Sequence, residues 1–272
     1  MLMTPAALPS LDSHYELSDE AIKTYRRDGF VILRGVCTPS EVAAYRAAIA
    51  DAVRRMNNET RPMEERDTYG KAFLQIMNLW EFDEAVRQFT LSPRFAKIAA
   101  DLMGVPSVRL YHDQALFKEA GGGPTPWHQD QFYWPLDCQT TTMWMPMVEA
   151  TTEMGTMKFA TGTQRDGYIE AIGISDESEA FFDRYVAEKG YEVKQSGTLA
   201  VGDVSFHNGW TLHAAGGNRT QTTREAMTMI YLENGAKVIA PDHKNREADL
   251  ARWFPGLKPG DQAASPLNPV VY

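Results

Sequence analysis

Two regimes of apolar spacing meet near Pro106. Before it, apolar residues recur every three or four positions: Val42, Tyr45, Ile49 and Val53 in one run, Phe95, Ile98, Ala99 and Leu102 in another. That spacing predicts helices that each bury one face. The first follows Thr38 as N-cap, Pro39 at the first helical position and Glu41 completing a capping box. The second starts at Ser92-Pro93 and closes at Gly104. A shorter helix is predicted after Ser18, with Asp19 and Glu20 where the helix dipole favours anions and Gly29 as its stop. Phe30 to Leu33 reads as a short apolar strand, residues 57–72 as a polar loop, and Phe73 to Trp80 as an apolar run containing Gln75 and Asn78. Residues 1–17 read as an arm with two prolines.

After Pro106 the runs shorten and alternate. Strands are expected over Ser107–Lys118, around His128, and over Thr140–Val148, Gly155–Phe159, Gly197–Phe206 with a break at Gly202-Asp203, Thr211–Ala215 and Thr223–Leu232. Ala120 to Pro126 is a Gly/Pro loop. Residues 164–196 are more polar and partly helical around Phe181–Lys189, an insertion that could cover a site; from Pro241 the chain reads as Pro-rich and irregular. Short strands with Gly-rich turns, behind a helical front, predict a β-sandwich or barrel with helices packed outside. The expected organisation is one domain over 1–272: a mostly helical part at 1–105, the strand-rich core at 106–240 and a tail at 241–272.

Composition narrows the partners. A chain of 272 residues suffices for one sizeable core. A net charge of −9 argues against nucleic acid and anionic membrane, both of which need a basic face. The two cysteines, Cys37 and Cys138, match no zinc spacing, and a reducing, cytoplasmic setting is expected. No signal peptide and no apolar run of membrane-spanning length is evident.

The chemistry centres on Pro126–Pro135, where His128 and Asp130 lie two residues apart. In extended backbone such residues share a face, so an imidazole and a carboxylate converge. They form two thirds of a 2-His-1-carboxylate site, which suits non-heme Fe(II) and leaves coordination positions open. His207 and His213 are the candidates for the third ligand. Alternation puts Thr211, His213 and Ala215 on one face, with small Ala215 leaving room beside the metal, so His213 is favoured. His207 precedes Asn208-Gly209, a turn dipeptide, and reads as a residue behind the ligands or at the surface; His14 and His112 read as ordinary core histidines. Arg224 alternates with Ala226, Thr228 and Ile230. An arginine on the apolar face of a strand needs a partner, and its fork matches a carboxylate, of the protein or of a ligand.

His128-x-Asp130, His213, then Arg224 eleven residues on, in the setting Trp127-His-Gln-Asp-Gln-Phe-Tyr133, resemble the phytanoyl-CoA dioxygenase family of Fe(II)/2-oxoglutarate-dependent oxygenases. The likeness runs from Gly29-Phe-Val-Ile-Leu33 to Ser265-Pro-Leu-Asn-Pro269. It implies a mainly β fold with outer α-helices around a double-stranded β-helix, a jelly-roll or cupin-like core. It implies Fe(II) on His128, Asp130 and His213, 2-oxoglutarate chelating the iron, Arg224 gripping its distal carboxylate, and conversion of 2-oxoglutarate and O2 to succinate and CO2. Gln114, Thr140 and Trp144 are the expected flanking contacts of the cosubstrate. Ala215 stands where the family often has a small hydroxylated residue, so part of that grip must come from elsewhere. Thr161-Gly-Thr-Gln164 lacks the histidine that relatives often carry there, which bears on substrate contacts only. Halogenating relatives replace the metal-binding carboxylate; Asp130 therefore implies hydroxylation or a related oxidation.

The substrate is expected to be a small, partly apolar metabolite, met by Phe73, Gln75, Asn78, Phe132, Tyr133 and Trp210, with Trp80 and Trp134 near them. No basic cluster suggests a coenzyme A phosphate site. The alternatives are a cupin-like enzyme using the same ligands without redox chemistry, and a binding module that has lost turnover.

Overall fold

The computed structural model describes residues 7–272; the first six residues of the predicted arm lie outside the described part. In chain order the elements are α1 (Asp19–Asp28), β1 (Phe30–Leu33), α2 (Pro39–Met56), α3 (Thr68–Ala72), β2 (Leu74–Met77), α4 (Glu84–Thr90), α5 (Pro93–Met103), β3 (Val108–Phe117), β4 (Thr125–His128), β5 (Thr140–Pro146), β6 (Met157–Ala160), α6 (Asp176–Lys189), β7 (Val193–Gln195), β8 (Val204–Asn208), β9 (His213–Ala215), β10 (Ala226–Glu233) and α7 (Lys244–Trp253).

The strands form two antiparallel sheets, six-stranded in the order β1-β8-β5-β10-β3-β2 and four-stranded in the order β4-β9-β6-β7. Together they make the jelly-roll core, with helices outside. β1 and β2 belong to the larger sheet, so the helical front and the strand-rich region share one framework. Strand parity explains the layering. Met143 and Met145 of β5 and Met227 and Met229 of β10 point outward to a core shared with Val42, Ile49, Phe89, Phe95 and Ile98 of the helices. Trp144 and Ala226, from the alternate positions, turn inward, where Phe30 and Phe159 stack across the sheets with ring centroids 4.2 Å apart.

The predicted caps form. Thr38 and Glu41 make a reciprocal capping box, the Ser18 hydroxyl accepts from Ala21 N, and Gly29 and Gly104 end their helices in left-handed conformation. Four local expectations need correction. Residues 57–72 are not all loop: the Asp67 carboxylate accepts from Gly70 N and starts α3. A further helix, α4, begins at a similar cap, Asp83, where none was expected. Asp130 is not on the strand: β4 ends at His128, and Asp130 opens a 3-10 turn. The region after Pro241 contains α7, capped by His243; it buries only Arg246 and Trp253, too few apolar positions to show a period.

A β-bulge at Tyr111 has consequences for the interior. Ile230 pairs with His112 and Tyr231 with Leu110, so Tyr111 is extra. One extra residue reverses the facing of the rest of the strand: His112, Gln114 and Leu116 line the cavity inside the barrel, whereas Leu110, Ala115 and Phe117 belong to the helix-side core.

Candidate metal centre

His128 and His213 are directly paired across β4 and β9. The Asp130 Oδ1 lies 3.5 Å from His128 Nε2 and 3.6 Å from His213 Nε2. One donor atom from each of the three residues falls within 4.8 Å of the others, and no second such group occurs among the described residues. The slip of Asp130 into a turn does not spoil the convergence, because Gln129 stays extended at φ −113° and ψ 124°.

The imidazoles are held in one tautomer. His128 Nδ1 donates to Pro126 O at 2.7 Å and His213 Nδ1 to Thr211 O at 3.0 Å. A carbonyl can only accept, so each Nδ1 carries the proton and each Nε2 turns a lone pair inward. Burial, reinforced by His128 and His207, pushes the His213 pKa well down and keeps the ring neutral, the state a metal needs. Asp130 supplies the one anionic group between the two rings. Its Oδ2 is fixed by the Thr142 hydroxyl at 2.8 Å and by His207 Nε2 at 3.2 Å. His207 is therefore neither at the surface nor an ordinary core histidine: at 1% exposure it orients the carboxylate, and its other ring nitrogen has no partner. Two borderline imidazole nitrogens and one hard carboxylate oxygen, with converging lone pairs and one anionic charge, fit a divalent first-row metal with open positions.

The three side chains stand in a cavity of about 230 Å³. Arg224 lies in its wall, 2% exposed, with its guanidinium 5.2 Å from the Trp144 ring centroid. It donates to Gly155 O, its Nε has no partner, and burial pushes its pKa down to about 10. None of the salt bridges among the described residues involves it. No protein carboxylate pairs with it there, and the residue lines the cavity. Lys118, bridged to Arg224 through the backbone, is also buried; burial, then Arg224, push its pKa down to about 6.

Among the expected flanking residues, Gln114, Trp144 and Ala215 line the cavity. Gln114 Oε1 accepts from Gln75, whose own Oε1 accepts from the Tyr69 hydroxyl at 2.7 Å, which leaves the Gln114 amide N–H groups free. Thr140 does not line it. It shares a face with Trp144, but four residues of strand place it about 13 Å away, where its hydroxyl donates to Gln131 at 2.6 Å. Sequence alone could not reveal Thr125, which pairs with Ala215 across the sheet, lines the cavity and lies 3.4 Å from Lys118 Nζ.

Among the expected substrate contacts, Phe73, Gln75, Tyr133 and Trp134 line the cavity. The others fall outside it. Asn78 takes a left-handed conformation at φ 54° and bonds Glu81. Phe132 stacks on His243 with centroids 4.3 Å apart. Trp210 meets Tyr168 edge-on, and Trp80 lies under Arg87. Tyr69, Met77, His112, Ile174 and Asp249 line the cavity unforeseen. Ile174 comes from the polar insertion, but α6 itself packs behind β4, with Phe182 and Val186 against Trp127 and Leu212.

Fold and site define a metal-dependent enzyme of the class that binds its ion through two histidines and one carboxylate. The chain belongs to the phytanoyl-CoA dioxygenase family, whose model matches residues 25–226, and is a 2-oxoglutarate-dependent oxygenase. Among solved structures, the non-heme alpha-ketoglutarate-dependent carbocyclase SnoK from nogalamycin biosynthesis is 25% identical, with a TM-score of 0.77 over 98% of this chain and 100% of that one. The epimerase SnoN, in complex with Fe3+, alpha-ketoglutarate and nogalamycin RO, is 25% identical, with a TM-score of 0.74 over 93% and 98%. EctD from S. alaskensis, with 2-oxoglutarate and 5-hydroxyectoine, is 17% identical over 88% and 86% at a TM-score of 0.67, a likeness of fold. Comparison with curated protein sequences gives no significant match. No helix of the described residues is long and apolar enough to cross a membrane.

Proposed function

We propose that His128, Asp130 and His213 hold Fe(II), that Arg224 binds the distal carboxylate of 2-oxoglutarate, and that the enzyme oxidises an unactivated C–H bond of a small, partly apolar metabolite. In the hydroxylation form, R–H, O2 and 2-oxoglutarate give R–OH, succinate and CO2. The bound iron supplies the activation of O2. The observation that carries the reading is the buried Arg224 guanidinium, with no carboxylate partner among the described residues, in the same cavity as three converged ligand atoms. A non-redox cupin would have no use for that guanidinium.

The chain's own residues do the rest. Nδ1–H donation to backbone carbonyls fixes both imidazoles. His207 and Thr142 hold one oxygen of Asp130 so that the other faces the metal. Gln114 offers amide N–H groups near the cosubstrate, and Trp144 braces the guanidinium. Thr125 supplies the hydroxyl that Ala215 lacks, from the opposite strand. Phe73, Tyr133 and Trp134 exclude water and shape the apolar part of the substrate site.

The likeness to a carbocyclase and an epimerase favours a second form of the same reading, in which either two hydrogens leave the substrate as water and a ring closes, or one hydrogen leaves carbon, an external reductant supplies two electrons, and hydrogen returns to the opposite face. Succinate release from 2-oxoglutarate, screened against a metabolite panel with mass analysis of products, tests both. A gain of one oxygen supports hydroxylation; loss of two hydrogens or no mass change supports the second form. Undiminished succinate formation by Asp130→Ala would refute both.

A further inference from the structure

The cavity contains a carboxylate that iron and cosubstrate do not require. Asp249, from α7, lines it together with His112, Tyr69, Phe73, Tyr133 and Trp134. Its Oδ2 accepts from the Tyr111 hydroxyl at 2.7 Å. No cation among the described residues pairs with it. Arg252 lies over the Trp253 ring at 4.4 Å, and Arg246 is engaged by Asp242 and Phe132 O. His112, 2% exposed, has no partner for Nδ1, and burial keeps its ring neutral.

A charge count gives this carboxylate meaning. With the site loaded, the dication, Asp130, the 2-oxoglutarate dianion and Arg224 sum to zero. Asp249 is then the carboxylate left without a salt-bridged partner, acted on by Arg252 only through space, in a cavity walled by five Phe, Tyr and Trp rings. Asp249 is half-buried; a charge partly shielded from water gains from a partner, and aromatic faces favour cations. A hydroxyl would satisfy hydrogen bonding but leave the charge.

We propose that the substrate carries a protonated amine, which docks against Asp249 with its remaining face toward Tyr133 and Trp134. This rests on the oxygenase reading above, since it takes this cavity as the substrate site. Burial pushes the Asp249 pKa up to about 6, so the carboxylate is ionised in mildly alkaline solution and an ammonium group would stabilise it further.

The test uses the ferrous holoenzyme with 2-oxoglutarate, without oxygen, at about pH 8, where benzylamine is protonated and Asp249 ionised. Benzylamine and benzyl alcohol are titrated by calorimetry. The wild-type protein should bind the amine at least about tenfold more tightly, roughly 1.4 kcal/mol. Asp249→Asn, which keeps an acceptor for the Tyr111 hydroxyl, should bring the ratio close to one, and Asp249→Ser should do the same. The iron–2-oxoglutarate absorption band, read on the same samples, should be unchanged and shows that the variants are folded. Equal or inverted affinities in the wild-type protein, no binding of benzylamine, or a preference that survives both substitutions overturns the proposal. Absence of the band in the wild-type protein refutes the oxygenase reading instead, and the amine-to-alcohol ratio still stands or falls separately.

Discussion

Replacing Arg224 by Met separates a binding role from a structural one, because the two predict opposite signs. In the ligand-free protein the guanidinium is buried, donates a hydrogen bond to Gly155 O, and is pushed from 12.5 down to about 10 by burial. At about 1.4 kcal/mol per tenfold in ionisation, the folded chain holds that charge at a cost on the order of 3 kcal/mol. Removing it should stabilise the fold, less roughly 1 kcal/mol for the stranded carbonyl of Gly155. The net of about 2 kcal/mol should raise the melting temperature of the metal-free protein by several degrees. Binding should move the other way. Two charge-assisted hydrogen bonds to the cosubstrate carboxylate, each worth about 1.5–3 kcal/mol, are lost. Affinity for 2-oxoglutarate should fall roughly 100-fold, taking the lower end of that sum. Iron binding should stay within about twofold, since Arg224 touches no ligand. Anaerobic titration of the iron–2-oxoglutarate band measures the first quantity, iron-dependent fluorescence quenching the second, and calorimetric melting the third. A variant that binds 2-oxoglutarate as well as wild type, or that melts several degrees lower when metal-free, would refute the reasoning.

Three further outcomes are expected. Thr125→Val should weaken 2-oxoglutarate about 3- to 10-fold, the worth of one hydrogen bond, and adding Ala215→Ser should recover much of the loss; both are read from the same titration. Lys118, pushed down to about 6 from 10.5, binds its proton less readily when folded. Its penalty is therefore fully present below pH 6 and relieved as pH rises toward 10.5. Lys118→Met should be more stable than wild type at neutral pH, with the gap narrowing by up to about 1.4 kcal/mol per pH unit through that window in pH-dependent denaturant melts. Gly155→Ala should destabilise strongly, by about 3 kcal/mol or more, in the same melts. Gly155 sits at φ +79°, and an added Cβ would collide with Gly216 O.

Whatever depends on neighbours along the chain was legible before the fold. Caps at Ser18 and Thr38, the stops at Gly29 and Gly104, and the inward facing of Arg224 and Thr228 follow from offsets of a few residues, where backbone geometry allows little choice. His128 and Asp130 converge for the same reason, through one extended residue between them. Tertiary structure decided whatever needed two remote segments. His207 reaches Asp130 across 77 positions, Thr125 stands opposite Ala215 across 90, and α7, with almost no apolar period of its own, delivers Asp249 to the cavity. The bulge at Tyr111 reversed which residues of β3 face inward, a choice set by pairing with β10 that no local pattern encodes. Thr140, Asn78, Phe132 and Trp210 carry suitable side chains in suitable stretches, but distance along a strand or a single turn removed them from the site. Residue type and short spacing specify chemistry within reach of one backbone segment; long-range packing decides which of those groups meet.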